Sequence, residues 1–439
     1  MRFVSQVISG SNTPALSADR KFALRNLILL LILISIISVK PKAASWNDSS
    51  RMAVVQSLVE HGTFAIDRSV FSDTGDKIFV NGHFYSDKPA LPAILGAAVY
   101  WPLYHLGIRL DYGWNASYYL ITLFTVKLFW IIGLAAFYSA LGFTGISNRK
   151  RFWLTLALGI ASLHFTWSST FNNHSLAASM LMTGYYFLLR ARYAESDSKD
   201  VFYGGFFLAL AAAMDIPTSV FYAGFAAYIL TNPPLRKKAV FYFIPLLFTA
   251  LPALLLSYLI TGSIIPAQID RSYFEYPGSP WNGSNELSGI SVNSLPVFLE
   301  YSAQMMIGPK GFLLYNPFLW IALPLLIREI KNKSKFRKEA LVIGTASLIM
   351  ILYYLLMTNN YAGDSYSIRW FVPFIPLWFF FLYPRLRISR VARQRVFNIF
   401  FTISLIISVI GLINPWTISR YSSTPFVANI QQVLSHFSE

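Results

Sequence analysis

The sequence predicts an all-α polytopic membrane protein, and three observations carry that prediction. Of the 439 residues, 55% are hydrophobic and only 13% charged. The apolar residues fall in long blocks rather than in amphipathic stripes, and a hydrocarbon core about 30 Å thick needs roughly 20 residues of helix. The basic residues gather in short connectors between the blocks: Arg20, Lys21 and Arg25, Arg149 to Arg151, Arg190 with Arg192, Arg236 to Lys238, Arg328 to Lys338, and Arg385 to Arg395. On the cytoplasmic side these connectors satisfy the positive-inside rule, so the net charge of +16 reports topology and not nucleic-acid binding. With no cysteine in the chain, disulfides, thiolate metal sites and a cysteine nucleophile are excluded.

In order, the alternation gives spans at 22–39, 115–141, 152–169, 175–190, 201–214, 217–231, 239–260, 309–327, 339–357, 370–384 and 396–413. That makes about eleven transmembrane helices in a single domain, 1–439, with the N-terminus inside and the C-terminus outside. The apolar block 91–108 is read as juxtamembrane or re-entrant, because a crossing there would put every later basic connector outside; Pro92 and Pro102 interrupt it. Asp215-Ile216-Pro217 separates two short spans. The polar first twenty residues lack a cleavable signal pattern, so 22–39 reads as an uncleaved anchor.

Three connectors face outward: a first external loop at 40–114, a flap at 261–308, and 358–371. In the first, Met52, Val55, Leu58 and Val59 recur at helical spacing behind Asp48, and Gly62 can end the run, which predicts an amphipathic juxtamembrane helix. Ile78 to Tyr85 reads as a hairpin about Asn81-Gly82, a pair suited to a two-residue turn with positive φ. Such a hairpin returns Tyr85, Asp87 and Lys88 to the membrane interface.

Each polar residue here has two readings. Asp48 can cap its helix or act as a general base. Lys88 can snorkel to the headgroups or hold a phosphate, a role open also to Arg51 and Arg369. His61, His83 and His105 with Asp87 have loose metal-ligand potential without a spacing signature, so a divalent metal stays a possibility only. Lys127, inside a span, and Asp215, beside Pro217, are intramembrane charges that are either structural or functional. Aromatics of the flap (Tyr273, Tyr276, Trp281) suit stacking on a sugar or an interfacial belt, and Asn282-Gly283-Ser284 matches a glycosylation sequon.

The runs Asp48-Ser49-Ser50-Arg51-Met52-Ala53, Glu60-His61-Gly62 and Tyr85-Ser86-Asp87-Lys88-Pro89 resemble the first external loop of GT-C fold glycosyltransferases, in particular aminoarabinose lipid A transferases and protein O-mannosyltransferases. The resemblance is carried by roughly the N-terminal 200 residues. It implies a catalytic role for Asp48, a donor phosphate held by Lys88, Arg51, Tyr85 and Arg369, and substrate contacts from Asp87, Asn173 and His174. It further implies transfer of a sugar from a polyprenyl-phosphate donor to a lipid, glycan or protein acceptor, with inversion, at the periplasmic or exterior face of the plasma (inner) membrane. Ser49 departs from the pattern by replacing the usual second acid, which weakens a metal pair of adjacent carboxylates. Asn173 has helix capping as its structural alternative. The rival class is a lipid or sugar transporter or flippase, which would use Lys127 and Asp215 and show an internal repeat; the sequence shows none.

Overall fold

The computed structural model describes residues 18–194, 197–266, 270–281, 294–332, 334–387, 391–418 and 424–438. The sequon at 282–284 lies outside the described residues. Among the described residues the regular structure is helical apart from one two-stranded sheet. Its helices are α1 (Ala18–Ser38), α2 (Trp46–Glu60), α3 (Ala90–His105), α4 (Ala116–Thr144), α5 (Asn148–Ile160), α6 (Leu163–Trp167), α7 (Asn173–Tyr193) and α8 (Ser198–Met214). They are followed by α9 (Ser219–Leu230), α10 (Ala239–Thr261), α11 (Leu295–Ile307), α12 (Leu319–Lys331), α13 (Arg337–Met357), α14 (Val391–Ile413) and α15 (Pro425–Ser438). Five of these, α1, α4, α10, α13 and α14, are long and apolar enough to cross a membrane.

The centre of the bundle is α7, buried along nearly its whole length between α4 and α8. Close approach is made possible by small residues. A Cβ on Gly204 would lie 2.5 Å from Leu188, and one on Gly184 2.7 Å from Leu208, so α7 and α8 meet almost backbone to backbone. In α4 the helix passes through a π-turn at Leu123–Lys127, which buries Lys127. Its ammonium donates to Ser168 Oγ at 2.7 Å and faces the rings of Trp130 and Phe165, so the intramembrane lysine is satisfied inside the bundle by a hydroxyl and two aromatic faces.

Three expectations are corrected. The helix behind Asp48 is not amphipathic: residues 50–57 of α2 are buried, and Ser50, Arg51 and Gln56 find partners within the protein. Ser50 donates to Asp76 O at 2.5 Å, and Gln56 Oε1 accepts from Ser69 Oγ and Val70 N at 2.7 and 3.0 Å. The apolar stretch 309–327 becomes helical only from Leu319; Pro309, Gly311 and Pro317 keep the preceding residues in turns. The stretch 370–384 is likewise no continuous helix but a 3-10 segment, Arg369–Phe374, followed by Ile375–Phe380.

The hairpin forms as the sequence predicts. β1 (Lys77–Val80) and β2 (His83–Ser86) pair antiparallel with Lys77 opposite Ser86, and Asn81 and Gly82 both take positive φ, 50° and 88°. Part of the flap rests on it: Phe274 packs with Ile78 and Val80, and Trp281 donates to Gly75 O at 2.7 Å while meeting Trp46 edge-on.

Candidate active site

Ser45 caps α2 and closes a capping box with Asp48, the third residue of the helix. Asp48 Oδ1 accepts from Ser45 N and Ser45 Oγ, both at 2.8 Å, and from Ser49 N at 3.1 Å. Its Oδ2 accepts from Ala44 N at 3.0 Å, Tyr118 OH at 3.1 Å and Thr170 Oγ1 at 3.2 Å. The carboxyl is fully enclosed, and burial pushes it above the ordinary carboxylate range against the pull of its donors Ala44, Ser45 and Tyr118. Two carboxylate oxygens offer about four lone-pair sites, and six contacts fill them. A general base needs a lone pair facing its substrate, and in this structure the contacts of Asp48 serve the helix start and its two hydroxyl neighbours.

One turn on, Arg51 is buried at 1% exposure. Its Nη1 donates to the Asn47 carbonyl and amide oxygens at 2.7 and 2.5 Å, and its Nη2 to Asn173 Oδ1 at 2.5 Å, which fixes the guanidinium between α2 and the start of α7. Asn173 therefore holds an arginine, while the cap of α7 is Asn172, which accepts from Ser175 N.

The hairpin brings back the remaining charges. Lys88 Nζ donates to Asp87 Oδ2 at 2.6 Å and to Asp76 Oδ2 at 2.9 Å. Among the described residues Asp87 Oδ1 is buried without a partner. Asp76 was missed in the sequence, yet the register signals it: with Lys77 opposite Ser86, the next rung sets Asp76 across from Asp87, and like charges there need a shared cation. Burial raises both carboxyls. For Asp76 the charge and hydrogen bond of Lys88, with Arg369 and Arg51, outweigh burial and hold it low, whereas Asp87, facing Asp76, stays raised.

Arg369 donates to the carbonyls of Ala362 and Asp364, and its guanidinium lies 5.1 Å from the Trp416 ring. Tyr361, Ala362, Gly363 and Ser367 all take positive φ around it, a strained turn of the sort that accompanies functional sites. His174 Nδ1 and Asp215 Oδ2 lie 2.7 Å apart in a buried pair, so Asp215 serves more than the helix break it follows.

A cavity of about 500 Å³ opens from this polar centre. Arg51, Tyr85, Ser86 and Lys88 line it, and its remaining wall is mostly aliphatic, from Ala90, Leu91 and Ile94 of α3, Leu210 and Ala213 of α8, and Leu246, Leu254 and Ile260 of α10 among others. The structure thus brings Arg51, Tyr85 and Lys88 to one cavity, with Asp87 bound to Lys88 and Asn173 bound to Arg51. It does not bring together the loosely proposed metal ligands. His83 sits exposed against Asp67, Asp87 is bound to Lys88, and no group of three or more His, Asp or Glu suited to a metal occurs among the described residues.

The described residues build a helical bundle with long apolar helices, and comparison with solved structures finds the same fold in membrane enzymes. ArnT from Cupriavidus metallidurans bound to undecaprenyl phosphate is similar over 89% of this chain and 70% of that one, at 14% identity and a TM-score of 0.56. The apo state of ArnT matches with a TM-score of 0.55 at 14% identity, covering 89% of this chain and 62% of that one. The apo oligosaccharyltransferase of Archaeoglobus fulgidus matches over 91% of this chain and 57% of that one, at 12% identity and a TM-score of 0.54. The chain spans less than two thirds of the length of the apo ArnT chain and of the archaeal enzyme. No protein-family model and no curated protein matches it.

Proposed function

We propose that the protein is a membrane glycosyltransferase that moves a sugar from a polyprenyl-phosphate donor to a lipid, glycan or protein acceptor at the outer face of the plasma membrane, with about eleven crossings and inversion at the anomeric carbon. The observation that carries this reading is the cavity itself: a buried cation, Arg51, and a half-buried one, Lys88, open directly onto an aliphatic wall. A polyprenyl phosphate has that same division, a dianionic or monoanionic head on a long apolar tail, and cations fixed where the leaving phosphate gains charge favour the transition state over the ground state. One solved relative in fold holds undecaprenyl phosphate, which is the ligand class this division fits.

In this reading Lys88 and Arg51 bind the phosphate. Arg369 adds positive potential, as its effect on Asp76 indicates. Tyr85, in the cavity lining, stands with the phosphate, and Asp87, Asn173 and His174 contact the substrate. Asp48 anchors α2, and with it Arg51, to the residues around Tyr118 and Thr170. Mass spectrometry of glycolipids and glycoproteins from a strain lacking the protein tests the reading. Loss of one glycosylated product, restored by the wild-type chain and not by Lys88→Ala, is the expected result. Unchanged glycosylation with an altered distribution of lipid across the membrane would favour the transporter instead.

A further inference from the structure

We propose that His174, oriented by Asp215, is the general base that removes the proton from the acceptor; the proposal rests on the glycosyl-transfer reading above. Two helix ends build the pair. Asn172 caps α7 by accepting from Ser175 N at 3.0 Å, which sets His174 on the first turn. The α8 helix stops at Met214, and Asp215, whose N–H donates to Ala211 O at 2.9 Å, is held by the break before Pro217. The imidazole Nδ1 and Asp215 Oδ2 are 2.7 Å apart, and the two side chains are 7% and 3% exposed. A carboxylate on Nδ1 leaves Nε2 as the lone-pair nitrogen and steadies the imidazolium that forms. Among the described residues Nε2 has no hydrogen-bond partner.

His174 and Asp215 stand behind the lining of the cavity, and their neighbours reach it. Asn173, the preceding residue, binds Arg51, which lines the cavity. Ala213 and Ile216, on either side of Asp215, line it as well. Asp48 has both oxygens engaged, and Asp76 and Asp87 share Lys88, with Asp87 Oδ1 the one buried oxygen of the three acids that is left over among the described residues.

The step balances as follows. The acceptor O–H or N–H gives its proton to Nε2 while its heavy atom bonds to the anomeric carbon. The bond from that carbon to the phosphate oxygen breaks, and its electron pair stays on the polyprenyl phosphate, neutralised by Lys88 and Arg51. His174 then releases the proton to solvent. Asp215 is a positioning residue, since it touches the imidazole and not the substrate.

The test uses full-length variants in two assays: binding of undecaprenyl phosphate to the purified protein in nanodiscs, and formation of the product by isolated membranes of the complemented strain from pH 5 to 8. His174→Gln is expected to bind undecaprenyl phosphate within about twofold of wild type and to lose product about 100-fold or more, the lower range for a general base. The charged groups facing the imidazole are Asp215 at the α8–α9 junction, Arg51 of α2 and Arg369 of the 358–371 loop. Removing the carboxylate weakens the hold of the imidazole on its proton, so in Asp215→Asn the acid limb of the profile moves to lower pH, a shift that a purely structural role would not produce.

Product from His174→Gln at a third or more of wild type overturns the assignment and leaves the donor reading standing. Should His174→Gln not fold, Asp215→Asn decides alone, and an unmoved acid limb overturns it. A wild-type protein that binds no undecaprenyl phosphate removes the donor reading, and this inference with it.

Discussion

The site holds two buried carboxylates of opposite character. Asp48 sits in a corner where six donors converge on its two oxygens, so its charge is spent on fixing the backbone of residues 44–49 and tying it to Tyr118 and Thr170. Asp215 is bound to one side chain, an imidazole. The number of donors separates the two: a saturated carboxylate is part of the framework, and a carboxylate with a single titratable partner orients chemistry. The Asp76–Lys88–Asp87 group is intermediate, since one cation neutralises two acids and one oxygen is left over.

The largest effect that sharpens this comparison is expected from Asp48→Asn. An amide turns an NH2 group toward N–H and O–H donors, and losing charged hydrogen bonds at a buried site costs about 3 kcal/mol or more. Thermal unfolding and the yield of monodisperse protein should both fall. A variant as stable as wild type yet inactive would break the comparison, because the carboxylate would then be acting in chemistry. His174→Gln is the counterpart and should alter stability by less than about 1 kcal/mol, the cost of one exchanged hydrogen bond.

Lys88→Ala comes next. It removes a phosphate contact, so affinity for undecaprenyl phosphate should drop roughly 10-fold to 100-fold, the range for one charged hydrogen bond. It also leaves Asp76 and Asp87 facing each other without their cation. Both carboxyls then titrate above their unfolded value, so the stability they contribute is present at low pH and lost as pH rises through the folded values. The variant should therefore regain stability on acidification from neutral pH. In the wild type Asp76, held low, contributes in the opposite sense, with stability present at neutral pH and lost as pH falls through its depressed value. A Lys88→Ala melting temperature that does not rise on acidification would contradict the shared-cation arrangement.

The smallest effect belongs to the hairpin turn. Gly82→Ala places a side chain at φ +88°, at a cost of about 1 kcal/mol. Because the hairpin only carries Lys88, binding of undecaprenyl phosphate should weaken by less than about threefold, a modest share of that local cost.

Much of the architecture was legible in the sequence. Block hydropathy gave α1, α4, α10, α13 and α14, Asn81-Gly82 gave the hairpin, and the first-loop motifs led to Arg51, Tyr85 and Lys88 around one cavity. What escaped depends on partners distant in sequence. The polar face of α2 looks solvent-facing until Asp76 O, Ser69 and Val70 arrive to satisfy Ser50 and Gln56. Residues 309–318 are apolar enough to pass for membrane helix, and only their prolines and glycine show that they pack as turns. The role of Asp48 turned on a count of donors drawn from three separate segments, and the pairing of His174 with Asp215 on the close fit of α7 against α8.

The most direct test of the account is a saturation measurement of undecaprenyl phosphate on the purified full-length protein, set beside Lys88→Ala at the head of the cavity and Ala213→Trp in its aliphatic wall. The account predicts saturable binding that Lys88→Ala weakens and Ala213→Trp blocks, each in a folded protein. Binding that is absent from the wild type, or equal in all three, would contradict it.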